Sequence, residues 1–530
     1  MLGFQRSAHI LGVLLSLGLA GAALDATDPV VVGQTFLAES MDPTEGSTAW
    51  ALTSHGVAEK LFTVSKDGVI AGQVAQSVQK IEELVWEIFL TPGYLFSDGT
   101  PVTAQHIAEC LTDQNTNNSN AQSSLGAITV TATNDVTVRI ESERATHVMD
   151  AVLAEWPFVV YTKDLDGNFV YTGPFVIGSF SEEQIELVPN DFYPEASQRS
   201  PIMLKKFTDG HDLADSVKNL DVDMGFHLPI DTLPDLRSVD GVNIKSFEVG
   251  YHYMIFYNTD TLEDVRVRQA FDLAIDLTAL SQALAGGHAT RSLFPDTSPF
   301  FSDNSDPHGD QSASEALLNE AGWTLSSNGK REKDGSELTV NLVAYPHRPG
   351  LVTMQPLIAE SLMSLGVTVN SILTGQDWPE TQQIIDDRSF DMLMWAQHTL
   401  PAGDPLWFLS TFFRSDGGSN HANIQSAAID SRIDSLSLVE QHDERVFLAQ
   451  ATQQTIHDLV PVSNLVTPFW HVSLSDRLAN YEVWGSDNYV IRPDLIVVPK
   501  VQSGSSRTGQ GLLVSTLICS LTTFLVLLFS

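Results

Sequence analysis

The sequence predicts an α/β protein of two lobes, on three observations. The chain has 530 residues, more than one hydrophobic core serves, so two or three domains are expected. Strand-like and helix-like patterns alternate along it, with no internal repeat and no long disordered linker. Near mid-chain, residues 251–280 read YHYMIFYNTDTLEDVRVRQAFDLAIDLTAL, an aromatic-rich strand, a polar turn and a helix. In that helix Val265, Val267, Ala270, Phe271, Ala274 and Ile275 fall at helical spacing. The unit suggests the beginning of a second lobe.

The elements follow in order. Residues 30–38 are β-rich, Met41-Asp42-Pro43 turns the chain, and residues 48–61 read as a helix carrying Trp50 and His55. A strand and a Lys66-Asp67-Gly68 turn occupy 61–72, and 85–90 alternates as a strand. Thr103 is a helix N-cap before 104–111. Residues 128–142 form a hairpin about Asn134-Asp135, and Tyr171-Thr172-Gly173-Pro174-Phe175 opens another β section. Residues 217–226 close a helix and begin a strand. Beyond the mid-chain unit, helices are expected at 312–322, 354–365, 378–385 and 405–413, and mostly helix over 427–459. Strands are expected at 338–344, 367–372, 390–396, 461–467 and 489–498, with a loop at 398–404.

Charge and chain ends bound the setting. Sixty-six acidic against 28 basic residues give a formal net charge of −38, which repels nucleic acid and anionic membrane surfaces. Arg6, an apolar run over 10–19 and Ala20-Gly21-Ala22-Ala23 make residues 1–23 a secretory signal peptide. Residues 503–530 pair small residues with a short polar stretch and an apolar tail, a GPI-attachment signal with Ser503, Gly504 or Ser505 as the attachment point. The same tail is long enough to span a membrane as a helix. The protein is thus expected at the cell surface, secreted and membrane-anchored at its C-terminus. Of two cysteines, Cys110 and Cys519, processing would leave one, so no disulfide framework is expected. Asn117 heads a glycosylation sequon, Asn117-Asn118-Ser119, in a run that reads as an exposed loop.

No HExxH, CxxC, GxSxG, Walker A or GxGxxG motif is present, so nothing supports an enzyme. The wording of five stretches is more informative. LFSDGTPVTAQHI, YTGPFVIGSF, NDFY, YNTDTLEDVRVRQAFDLAID and EALLNEAGWTLSSNGKREKDGSEL resemble, in the same order, the family 5 extracytoplasmic solute-binding proteins. These are the peptide- and nickel-binding proteins of ABC importers, and the resemblance runs from about residue 30 to 494. DPLWFLSTFFRSDGGSNHANIQ and HDERVFLAQATQQTIHDLVP look most like the nickel-binding branch.

The resemblance implies a two-lobed periplasmic-binding-protein type II fold. Lobe I would take 27–250 and a return segment, 473–500; lobe II would take 251–472, with a hinge of two crossovers. Ligand would be held between the lobes. In peptide-binding members an aspartate before the Asp-Pro helix pairs with the peptide α-amine; here that position is Pro401, and Asp404 reads as a helix cap. In the nickel branch that loop carries a tryptophan and an arginine; here the region reads Gln397-His398-Thr399. The branch's later loop histidine matches His421, the one candidate metal ligand. Trp50, Tyr253, Trp395, His398, Trp407 and His421 are the candidate ligand-binding residues, the tryptophans and Tyr253 being of types found more often in a core than in a pocket. Arg266 and Arg268 read as structural partners of nearby carboxylates.

The expected function is capture of a small ligand for transmembrane uptake: a metal or metal chelate, siderophore-like complexes included, or an oligopeptide. No cofactor is expected beyond such a bound complex. A GPI-anchored form would serve a membrane transporter or act as an uptake receptor. A form with a C-terminal membrane helix would be the oligopeptide-binding component of an ABC importer. A cleft hydrolase working through carboxylates is the alternative of a different class.

Overall fold

The computed structural model describes residues 28–497 apart from 66–68, 145, 147, 297, 303–307, 402 and 496. The signal peptide, the turn at 66–68 and the attachment signal with Ser503, Gly504 and Ser505 lie outside these residues. Among the described residues, no helix is long and apolar enough to cross a membrane.

Two large sheets organise the chain. The first runs Phe175–Phe180, Gln184–Pro189, Ile202–Lys206, Val30–Gln34, Met224–Phe226, Phe469–Ser475, Val242–Glu248. The second runs His288–Ala289, Val462–Thr467, Tyr251–Tyr257, Met392–His398, Thr339–Ala344, Thr368–Leu373. A separate four-stranded antiparallel sheet, Ala75–Glu82, Val85–Leu90, Thr137–Ser142 and Ile128–Asn134, packs with the helix Ala104–Asn117. The chain leaves the first sheet after Glu248 and enters the second at Tyr251; it leaves the second at Thr467 and rejoins the first at Phe469. The return strand thus starts before residue 473.

Tyr251–Tyr257 explains why the mid-chain wording is so aromatic. The strand is buried throughout and central in its sheet, antiparallel to Met392–His398 and to Val462–Thr467. Strand side chains alternate, so the two faces fill two cores. Tyr251, Tyr253, Ile255 and Tyr257 join a core that also contains Val30, Val32, Met224 and Trp470 of the first sheet. Met254 and Phe256 face a second core under the helices Leu406–Phe413, Ala427–Ser437 and His442–Leu459. The first of these cores is continuous across both sheets, so the two halves of the molecule are packed together.

Several expectations change. The helix carrying Trp50 is Thr48–Ser54, not 48–61. Gly56 follows it with φ +67°, and a Cβ there would stand 2.8 Å from the Ile491 carbonyl oxygen, so tertiary packing closes the helix. The helix expected at 354–365 is Pro349–Ser364; Pro349 takes its first turn, where a missing N–H costs nothing. The strand expected at 489–498 is a 3₁₀ turn, Asp487–Tyr489, followed among the described residues by irregular chain. Its backbone bonds go to lobe packing instead: Ile491 N donates to Ser54 O. Asn117 is no loop residue either. It ends the helix Ala104–Asn117, exposed, and Asn118 caps the next helix, Ser119–Leu125. Arg266 pairs with Asp264 as expected (2.6 Å), whereas buried Arg268 meets carbonyls: it donates to Leu262, Glu263, Leu459 and Val460.

Candidate functional site

The strand Thr339–Ala344 ends at the seam between the two sheets, and four residues later Arg348 sits at the N-terminus of Pro349–Ser364. The Arg348 guanidinium points into the first-sheet half. Its Cζ lies 5.6 Å from the ring centre of Phe36, 5.4 Å from Trp50, 5.3 Å from Tyr251 and 5.4 Å from Trp470. Nη2 donates to Asp487 Oδ2 at 2.7 Å, and Nη1 lies 3.2 Å from His227 Nε2. Asp487, whose side chain is 0% exposed, also accepts from Trp50 Nε1 at 3.2 Å and from the Tyr251 hydroxyl. Burial works against the Arg348 charge, but Asp487 and the neighbouring phenols outweigh it and raise its pKa. His227 moves the other way: burial, then the Arg348 charge, hold its ring well below the usual range, so it stays neutral. Beside this box Thr35 Oγ1 donates to His347 O at 3.0 Å, a second tie between the halves.

A second aromatic group lies on the second-sheet side. Trp395 packs against His421 at 4.6 Å, Tyr345 at 5.4 Å and Trp378 at 6.0 Å. Its Nε1 donates to Gln397 Oε1 at 3.2 Å. His421 also meets Phe256 and Phe412 at 5.3 and 5.7 Å. Burial, aided by the Arg388 charge, lowers the His421 pKa to about 3, so its ring is neutral. Among the buried polar atoms with no protein partner are Glu155 Oε2 in the first-sheet half and Trp407 Nε1, His421 Nε2 and both ring nitrogens of His252 in the second. Such atoms are costly to leave unsatisfied, and each calls for an explanation such as a bound water, ion or ligand. Glu155 precedes Trp156, which packs against the cores of both sheets. Burial raises the Glu155 pKa well above the carboxylate range; Lys60 opposes this and Asp404, across the seam, adds to it.

The sequence candidates therefore divide. Trp50 enters the arginine box, and His398 stands edge-on to Tyr251 of that box at 5.4 Å. Trp395 and His421 are neighbours. Tyr253 is a core residue: Gly350 packs on its ring so closely that a Cβ would come within 2.4 Å of Cε2. Trp407 is buried among Phe408, Phe412 and Leu409, with its unpartnered Nε1 as its one feature of interest. Asp404 does cap, accepting from Leu406 N at 2.9 Å, and is also gripped by buried Arg445 at 2.6 and 2.9 Å. Sequence reasoning missed Arg348, Asp487, Phe36, His227, Trp470 and Glu155. For Arg348 a signal existed: the wording Tyr345-Pro346-His347-Arg348-Pro349 joins the carboxyl end of a strand to a helix start, where α/β proteins place their sites.

Comparison with known proteins agrees with this architecture. The profile of the bacterial extracellular solute-binding proteins, family 5, middle region, matches residues 69–420. The nickel-binding protein NikA of Staphylococcus aureus is 22% identical over 502 residues, covering 93% of this chain and 97% of the relative. The crystal structure of that NikA with Ni(L-His)2 superposes with a TM-score of 0.80 at 19% identity, over 89% of this chain and 100% of the other. The oligopeptide-binding protein AppA of Bacillus subtilis, in complex with a nonapeptide, gives a TM-score of 0.77 at 17% identity, over 87% of this chain and 97% of the other. The two-lobed periplasmic-binding-protein type II fold is common to them. Two sheets joined by a double crossover and a profile match over most of the chain have one reading: this chain belongs to the bacterial extracellular solute-binding proteins, family 5.

Proposed function

We propose that this protein captures a small metal chelate between its lobes, outside the cytoplasm, and delivers it to a membrane transporter or uptake receptor. The family binds solutes and is not one of enzymes. The lobes are taken as 27–250 with the return segment, and 251 onward to the second crossover. The observation that carries the reading is His421: a neutral, buried imidazole whose Nε2 has no partner, among aromatic rings. A lone pair held that way suits one coordination position of a metal. Among the described residues no three His, Cys, Asp or Glu side chains gather as a cage. A bare ion would therefore find too few ligands, while a chelate brings its own. Glu155 Oε2, Trp407 Nε1 and His252 would hydrogen-bond the organic part, and the ring of Trp395 would cover it. The similarity to the Ni(L-His)2 complex of Staphylococcus aureus NikA supports the same class of cargo.

Native mass spectrometry of the purified protein, with metal analysis, tests this. A nickel– or iron–chelate mass that disappears in His421→Ala is the expected result; a co-purified peptide unaffected by that change would overturn it. The likeness to a nonapeptide complex favours the peptide reading, and Pro401, in place of the amine-binding aspartate of peptide-binding members, counts against it. The apolar tail at 512–530 would hold the protein on the outer surface, through a GPI anchor or a membrane helix. Release by phosphatidylinositol-specific phospholipase C separates the two.

A further inference from the structure

We infer that Arg348 and Asp487 form a closure latch, an ion pair across the seam that holds the lobes shut and thereby sets ligand affinity. This rests on capture between the lobes as proposed above. Arg348 belongs to the second-sheet half. Phe36, Trp50 and Trp470 of its box, its carboxylate partner Asp487 and its neighbour His227 belong to the first-sheet half; Tyr251 stands at the crossover. The guanidinium is flat and weakly hydrated, so it can lie among aromatic faces while its edge meets the carboxylate. Opening the lobes would carry Phe36, Trp50 and Asp487 away from Arg348, while Tyr251 and Trp470 stay beside the two crossovers. A pair made in the closed form and lost in the open one meets the condition for an element to bias a two-state equilibrium.

Asp487 is prepared for this role. Trp50 and Tyr251 already donate to Oδ1, leaving Oδ2 to receive Arg348. The acceptor is thus oriented from within its own half and at the crossover. The tie between Thr35 and the His347 carbonyl sets the adjoining backbone in register with it. An exposed ion pair across the seam differs in kind: Arg144 meets Asp416 at 2.6 Å, but Asp416 is 58% exposed, so solvent and salt weaken that pair. Affinity follows directly. If only a fraction of molecules is in the binding-competent form, the apparent dissociation constant rises by the inverse of that fraction. Arg348 and Asp487 are accordingly positioning residues for capture, acting on the ligand through closure.

Small-angle scattering of the full chain without added ligand reads the closed-to-open ratio. Arg348→Ala and Asp487→Asn are each expected to lower it by about tenfold or more, and the double variant by no more than either single change. Arg144→Ala is expected to change it by less than about twofold. Millimolar guanidinium should restore closure to Arg348→Ala, by refilling the box, and not to Asp487→Asn. Arg348→Lys keeps the charge without the flat fork, and an intermediate ratio is expected; it also serves if the alanine variant fails to fold. Wild-type scattering from Arg348→Ala or Arg348→Lys, independent additive effects, or no guanidinium rescue would each overturn the latch. Titration with nickel–histidine in parallel keeps the two readings apart, since loss of binding with closure unchanged counts against the cargo and not the latch.

Discussion

Gly250 occupies the first crossover between the sheets, and its missing side chain has a structural reason. The His398 ring lies so near that a Cβ would stand 2.5 Å from Cε1. Gly250→Ala should therefore push His398 off its edge-on contact with Tyr251 and cost about 1–3 kcal/mol, measured by urea unfolding. The same residue scale shows what a sequence can and cannot say about a pocket. His421 and Trp395 were singled out by their wording, and the structure sets the two side by side. Tyr253 was chosen for the same aromatic character; it lies on the same strand face as Tyr251 of the arginine box, buried one pair of residues further in, under Gly350. Arg348 and Asp487 stand 139 positions apart, and no local pattern joins them.

Elements were legible where periodicity ruled and less so where distant packing ruled. The mid-chain strand and helix, the Thr103 cap and the hairpin about Asn134-Asp135 all carry local chemistry that fixes them: Thr103 accepts from His106 N, and Ile128–Asn134 pairs with Thr137–Ser142. The helix after Trp50 stops early because Gly56 abuts Ile491, hundreds of residues on. The helix Leu406–Phe413 is a sharper case. Its wording reads as apolar core, yet its entry is held by a buried ion pair, Asp404 with Arg445 from His442–Leu459. Removing one partner strands the other away from water. Asp404→Ala should cost about 3–5 kcal/mol, while Asp404→Leu with Arg445→Met should recover much of it; chemical denaturation of both variants checks this.

Across the whole molecule, buried titrating groups set an acid limit. Burial pushes His55, His252 and His398 each down to about 3. The unfolded chain then binds more protons than the folded one between about pH 3 and 6.5, so stability falls as pH drops through that window. Glu59 acts oppositely. Burial raises its pKa to about 7, against hydrogen bonds from Tyr94, Tyr193, Thr172 and Gln73. Its folded form holds a proton that the unfolded chain gives up, so its contribution is fully present below about pH 4.5 and is lost as pH rises through 7. That contribution is worth about 3 kcal/mol across the window. Glu59→Gln should remove it, steepening the loss of melting temperature between pH 7 and pH 5; an unchanged slope would count against a buried, protonated Glu59.

The return strand Phe469–Ser475 lies between Met224–Phe226 and Val242–Glu248 in the first sheet. That placement fixes an order of assembly. As the chain emerges, the second sheet has every strand by Thr467, whereas the first still lacks an interior one. The half made first is finished last, and Val242–Glu248 has no neighbour until the closing residues arrive. A nascent chain stopped before Phe469 lacks an interior strand of its first sheet, so that sheet can be completed only once the closing residues have been made.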